Sequence, residues 1–176
     1  ASPGQADAIT TISMFYDLPD PVDFARQVSR SLAPDGLWYL EQSYMPSMLR
    51  MNSYDTICHE HIEYYSMDSL STILSRAGMR IIEVRFNRVN GGSFAVTAVH
   101  ESSSRRGDEP LLEWFRSQER RMAFMTPRPF RDFESRVYQH REDLRALIST
   151  LRNSGARIAG LGASTKGNVL LQFCGF

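Results

Sequence analysis

Three features of the 176-residue chain predict an α/β fold. An apolar run, a helical stripe and a second apolar run follow one another with no hairpin turn, the pattern of two parallel strands joined by a crossover helix. Two runs rich in branched residues flank Asn90-Gly91-Gly92 and read as a hairpin. After two amphipathic helices, residues 157–161 (RIAGL) read as a buried strand turning through glycines into a helix, so a second α/β unit begins near residue 156.

Each element has its own local reason. Residues 8–14 (AITTISM) are apolar and branched, as a buried strand requires. Pro21 suits a first helical turn, and Ala25, Val28 and Leu32 supply the stripe. Pro34-Asp35-Gly36 signals a turn, and residues 37–42 (LWYLEQ) form the second strand. Residues 43–66 read as a long loop, a kind of segment that more often carries function than not. Ser66 caps a helix bearing Leu70, Ile73, Leu74 and Ala77, and Gly78 ends it. Residues 80–86 and 93–100 are the hairpin strands. Residues 101–107 (ESSSRRG) are a polar linker. A helix over 110–122 carries Leu111, Leu112, Phe115 and Met122. Pro127 and Pro129 break it, and Phe130, Phe133, Val137, Leu144, Ile148 and Leu151 space out a long amphipathic helix.

Composition narrows the function. Twenty basic residues balance twenty acidic ones, so no long-range field draws nucleic acid, and the arginines of 116–145 read as a solvated helix face. Two cysteines, Cys58 and Cys174, make no disulfide framework and suit a reducing, cytoplasmic setting. No apolar run approaches the roughly 20 residues that span a bilayer. The first strand begins almost at once and the LLQFCGF end leaves a helical pattern unfinished, so the chain reads as a piece of a longer protein.

Residues 54–66 (YDTICHEHIEYYS) concentrate the proton-transfer groups. If extended, the segment places His59 and His61 on one face and Glu60 on the other. Three readings of it stand: a metal held by Cys58, His59 and His61, a packed histidine without chemistry, and an acid/base histidine whose tautomer Glu60 or Glu63 fixes. With no HExxH and no paired CxxC, no metal is expected. Residues 160–167 (GLGASTKG) follow a strand and open a helix, where free N–H groups suit phosphate. They match neither the dinucleotide fingerprint nor the P-loop, and a tight turn that packs a helix on a sheet is an equal reading. The Asn90-Gly91-Gly92-Ser93 turn also permits close approach of a ligand to backbone. Met14-Phe15-Tyr16-Asp17, with Ser13 before them, sit at the carboxyl end of the first strand, where open α/β sheets take ligands, and could wall a cofactor pocket, while Phe15 equally suits the core.

ADAITTISMFYDLPDP, LAPDGLWYLEQSYMP, YDTICHEHIEYYS, NGGSF and RIAGLGASTKGNVLL together resemble S-adenosylmethionine-dependent C-methyltransferases of nucleotide-linked keto-deoxysugars. The resemblance runs through nearly the whole chain. It implies the second half of a Rossmann-like class I methyltransferase domain over 1–104, then helices and the start of a C-terminal α/β nucleotide-sugar domain over 105–176. Zinc would belong only to an N-terminal module that these residues do not include. The family's catalytic base matches His61, with Glu60 beside it and His59 in the same cluster. Substrate contacts fall on Tyr44, Tyr64, Tyr65, Asn90, Ser93, Ser164, Lys166 and Asn168, and the cofactor wall on Ser13, Met14 and Phe15. Cys58 stands where some members have tyrosine, and Asp17 where some have histidine. The implied chemistry is removal of a proton beside a ketone, followed by attack of the enolate carbon on the sulfonium methyl. The 176 residues lack the glycine-rich loop that seats most of the cofactor, so by themselves they are expected to be inactive. A non-catalytic fragment or a nucleotide-sugar-binding piece is the alternative.

Overall fold

The computed structural model describes residues 5–162 and 164–176, with Asn90 by its backbone alone. Four strands, β1 (Ala6–Ile12), β2 (Leu32–Ser43), β3 (Met79–Asn87) and β4 (Ser93–His100), form one sheet in the order β1-β2-β4-β3. β1 and β2 are parallel, joined by helix α1 (Pro21–Ser31), as the strand–helix–strand order predicts. β3 and β4 are antiparallel neighbours, and β4 lies between β2 and β3. Helices α2 (Met45–Met51), α3 (Met67–Arg76), α4 (Glu109–Arg121), α5 (Arg128–Asn153) and α6 (Thr165–Cys174) complete the described residues.

Local chemistry explains the helix ends. Asp20 accepts from the Asp23 N–H ahead of Pro21, so α1 starts with both a cap and a preset φ. Ser66 and Ser69 form a reciprocal capping box at α3. Gly78, at φ 71, follows that helix in the left-handed conformation glycine favours.

The main core lies against one face of the sheet. Trp38 and Leu40 of β2 and Phe94, Val96 and Ala98 of β4 meet Ala25 and Val28 of α1, Leu70 and Leu74 of α3, and Leu112 of α4. Each fully buried large apolar side chain contributes roughly 1.5–3 kcal/mol. Phe15 plugs this core in edge contact with Phe24 and Trp38. A second, smaller core gathers Met48 and Leu49 of α2, Tyr54, and Phe133 and Val137 of α5, with Val169 and Phe173 of α6 against it.

Several expectations are corrected. β1 is the sheet's edge, paired with β2 alone among the described residues, so it is largely exposed rather than buried. β2 begins at Leu32, not Leu37: Ala6 pairs with Leu32 and Ala8 with Leu37, so Pro34-Asp35-Gly36 bulges out and the strand resumes. The loop after β2 contains α2, which carries a proline in its first turn and ends at Asn52 in the left-handed region. Residues 157–161 form no strand: among the described residues no ladder partner reaches them, and Ile158 and Leu161 are exposed. The last helix is not left unfinished, because Gly175 closes it at φ 71.

Candidate active site

The segment between the two cores carries the proton-transfer groups. Its Cys58–His61 portion is a turn, closed by the His61 N–H donating to the Cys58 carbonyl at 3.2 Å. It is not extended, so His59 and His61 share no face. The His59 side chain sits at the tip, 87% exposed and 3.9 Å from Glu60. His61 turns inward, its ring 4.4 Å from that of Tyr16.

Two sets of bonds hold His61 in place. The Tyr16 carbonyl accepts from both the Ile62 and the Glu63 N–H at 3.1 Å, which pins the residues after His61 to the short turn Phe15–Asp17 that follows β1. Nδ1 of His61 lies 2.8 Å from the Thr56 carbonyl oxygen. A carbonyl has no proton to give, so Nδ1 carries the hydrogen and the neutral ring's lone pair stays on Nε2. The tautomer is therefore set by Thr56 and not by Glu60 or Glu63. The Tyr64 hydroxyl donates to the same carbonyl at 3.2 Å.

His61 lines a cavity of about 330 Å³ with Tyr16, Thr56, Cys58, Glu60 and the first turn of α6. Ser164 caps that turn, its hydroxyl accepting from the Gly167 N–H at 3.4 Å, and Ser164, Thr165 and Lys166 all face the cavity. One helix start, one imidazole, one carboxylate and several hydroxyls thus converge. Burial raises the Tyr16 phenol, an effect tempered by the Ser13 hydroxyl, and burial also raises Tyr64. Both phenols stay protonated at neutral pH and can donate.

The remaining residues singled out in the sequence lie elsewhere. Tyr44 is buried and gives its hydroxyl to Glu119 Oε1 at 2.7 Å, and burial together with that carboxylate pushes its phenol far up. Tyr65 is buried against Phe15, with its hydroxyl unpaired and driven up by burial. Ser93 is buried and bonds the Val89 carbonyl, and Asn168 is exposed on α6 away from the cavity lining. The Asn90 side chain lies outside the described residues. Ser13 and Met14 are half-buried at the end of β1, whereas Phe15 is core and offers no side-chain wall. Among the described residues no three His, Cys, Asp or Glu side chains gather to hold a metal, and no helix is long and apolar enough to cross a membrane.

Glu119 was missed, and Tyr16 was expected only in a cofactor wall with Met14, Phe15 and Asp17, not beside the histidine. Tyr16 belongs to the aromatic run after β1, but only the fold brings its ring to His61. Glu119, in the arginine-rich stretch, is 3% exposed. Its carboxylate accepts from the Met67 and Asp68 N–H groups at 2.7 and 3.0 Å, anchoring α3 just beyond the histidine segment.

Comparison with known proteins gives the family. Residues 88–176 match the family described as the C-methyltransferase C-terminal domain, and residues 1–84 match a methyltransferase domain. C-methyltransferase NovU of Streptomyces niveus is 35% identical over 161 residues, covering 92% of this chain and 38% of that protein. The chain therefore spans about two fifths of that relative. Among solved structures, mitomycin 7-O-methyltransferase MmcR aligns over 57% of this chain and 31% of its own, with 15% identity and a TM-score of 0.46. TnmH aligns over 56% and 31%, with 20% identity and a TM-score of 0.42. These two likenesses add nothing to the assignment. The family matches, which together span nearly all the residues and meet within β3, do carry it: the chain belongs to the C-methyltransferase family.

Proposed function

We propose that these residues form the proton-abstracting part of an S-adenosylmethionine-dependent C-methyltransferase acting on a nucleotide-linked keto-deoxysugar. One observation carries the proposal. His61 Nδ1 donates to the Thr56 carbonyl oxygen 2.8 Å away, which leaves Nε2 as the ring's sole proton acceptor beside a polar cavity.

A carbon next to a ketone loses a proton when a base is in reach and the resulting enolate oxygen meets donors. His61 Nε2 takes that proton. The ring becomes a cation while Nδ1 keeps its bond to Thr56, so the developing charge needs no reorientation. The Tyr16 hydroxyl, and the Ser164 and Thr165 hydroxyls across the cavity, are the donors for the oxygen. Lys166 and the N–H groups opening α6 suit the phosphates of the nucleotide. Glu60 lies on the rim, and Cys58 donates towards it at 3.8 Å. His59, Tyr44, Tyr65, Ser93 and Asn168 receive no role in the chemistry.

The residues present fit one side of the cofactor. Ser13 and Met14, half-buried at the carboxyl end of parallel β1, would line it next to Tyr16. When bound, S-adenosylmethionine supplies an electrophilic methyl group.

The test uses the full-length protein with a nucleotide-linked keto-deoxysugar in D₂O. Wild type is expected to exchange the proton beside the ketone and, with cofactor, to add a methyl to carbon. His61→Asn should slow both by about 10²-fold or more. Near-normal exchange in His61→Asn would remove the base from the mechanism.

A further inference from the structure

We infer that a second cavity, on the other side of α2, is a binding site for a planar aromatic anion. It measures about 680 Å³, within the usual range for a small-molecule site, and shares no lining residue with the His61 cavity. The inference does not rest on the methyl-transfer reading.

The wall is a run of rings. Tyr44 meets Phe86 at 4.9 Å between centroids, Phe86 meets Phe115 at 4.8 Å, and Phe115 meets Trp114 at 4.8 Å. Trp114 is 54% exposed and Phe86 40%, so the outer rings present open faces. An open aromatic face gains by stacking on another flat ring.

The charge is one-sided. Arg50 and Arg88 both line the cavity, no acidic side chain does, and neither arginine forms an ion pair among the described residues. The acids of α4 beside the ring wall are already engaged, Glu113 by Arg116 and Arg120 and Glu119 by Tyr44, and Glu83 of β3 is paired with Arg85. Guanidinium groups bind phosphate and carboxylate through paired N–H donors. A flat ring bearing one such group, as in a nucleoside monophosphate or an aromatic carboxylate, satisfies both walls at once. A neutral ring or a free phosphate satisfies one.

The protein carries its own reporter. It has two tryptophans, and Trp38 is fully buried, so any quenching by a cavity ligand reports Trp114. Tryptophan emission of the 176-residue chain would be followed on titration with adenosine 5′-monophosphate and with 2-naphthoate, against adenosine and inorganic phosphate. At least one anion should quench saturably with half-effect below about 1 mM, more tightly than its neutral or ring-free counterpart, and should weaken with salt. Arg88→Ala, at an exposed position, should weaken binding about tenfold, and Arg50→Ala likewise. Trp114→Phe should abolish the signal, and unchanged circular dichroism would show that the variants fold. The affinity order of the two anions would identify the source. Quenching that is equal for adenosine, indifferent to both arginines or absent with both anions would overturn the proposal, as would quenching that tracks self-association in the absence of ligand.

Discussion

The hydroxyl of Tyr44 donates to Oε1 of Glu119 at 2.7 Å, joining residues 75 apart in the chain. The same carboxylate accepts from the first two N–H groups of α3, so one buried side chain ties α4 to the end of β2 and to the helix that follows the histidine segment.

Glu119→Ala should therefore cost about 2–5 kcal/mol, since two buried donors and one part-buried donor lose their acceptor together. Glu119→Gln keeps one acceptor oxygen and should cost less. Urea unfolding of the three proteins measures the order. An alanine variant within about 0.5 kcal/mol of wild type would show that these contacts add nothing.

Tyr16→Phe preserves the ring against His61 and the backbone carbonyl that accepts from Ile62 and Glu63. It removes only the hydroxyl in the cavity. Turnover of the full-length enzyme should fall at least about tenfold through kcat, with unfolding stability unchanged. An equal fall in both quantities would make Tyr16 a packing residue.

Alkaline stability follows from Tyr54. Burial, then the neighbouring Cys174, pushes its phenol up to about 12, from an ordinary value of 10.0. Between those values the unfolded chain has released a proton that the folded one retains, so ν_U is below ν_N and stability falls as pH rises. Full stability from this group should hold below pH 10 and be lost towards pH 12. Tyr54→Phe should flatten part of that slope, the other raised phenols keeping the rest. Thermal unfolding from pH 8 to 12 reads it directly, and a rising curve would contradict the sign.

Gly92 has φ 125, and a Cβ there would meet the Ser47 Cβ at 2.7 Å. Gly92→Ala should cost about 1–3 kcal/mol, from strain and overpacking together. Gly155 also has positive φ, but a Cβ there meets nothing within 4 Å. Gly155→Ala should thus cost only the conformational part, about 1 kcal/mol. Equal unfolding midpoints for the two variants would mean that α2 yields freely to Gly92.

Much of the architecture was legible because it is written in short-range terms. Pro21 and Asp20 mark α1, Ser66 marks α3, and the Asn90-Gly91-Gly92 turn separates the strands that pair as β3 and β4. Helix α2 went unseen because it is seven residues long, although Pro46 in its first turn and Asn52 after its end were signals. Residues 157–161 look like a strand, but strandness is decided by a partner and not by the segment. His61 stood out by its neighbours' chemistry. That Thr56 would orient it did not, since a backbone carbonyl leaves no trace in residue type. The stripe expected of α4 was turned: Leu112 is buried, while Leu111 and Met122 are exposed and Glu119 is buried in their place.

The doubly used Tyr16 carbonyl has a mechanical consequence. It ties the residues after His61 to the short turn that follows β1, so that side of the cavity is braced by backbone hydrogen bonds. The facing side is the opening turn of α6, reached through residues 157–162, which are exposed and outside any helix or strand. The aim of the His61 ring is thus held by two backbone carbonyls, of Thr56 and of Tyr16, which no side-chain substitution removes.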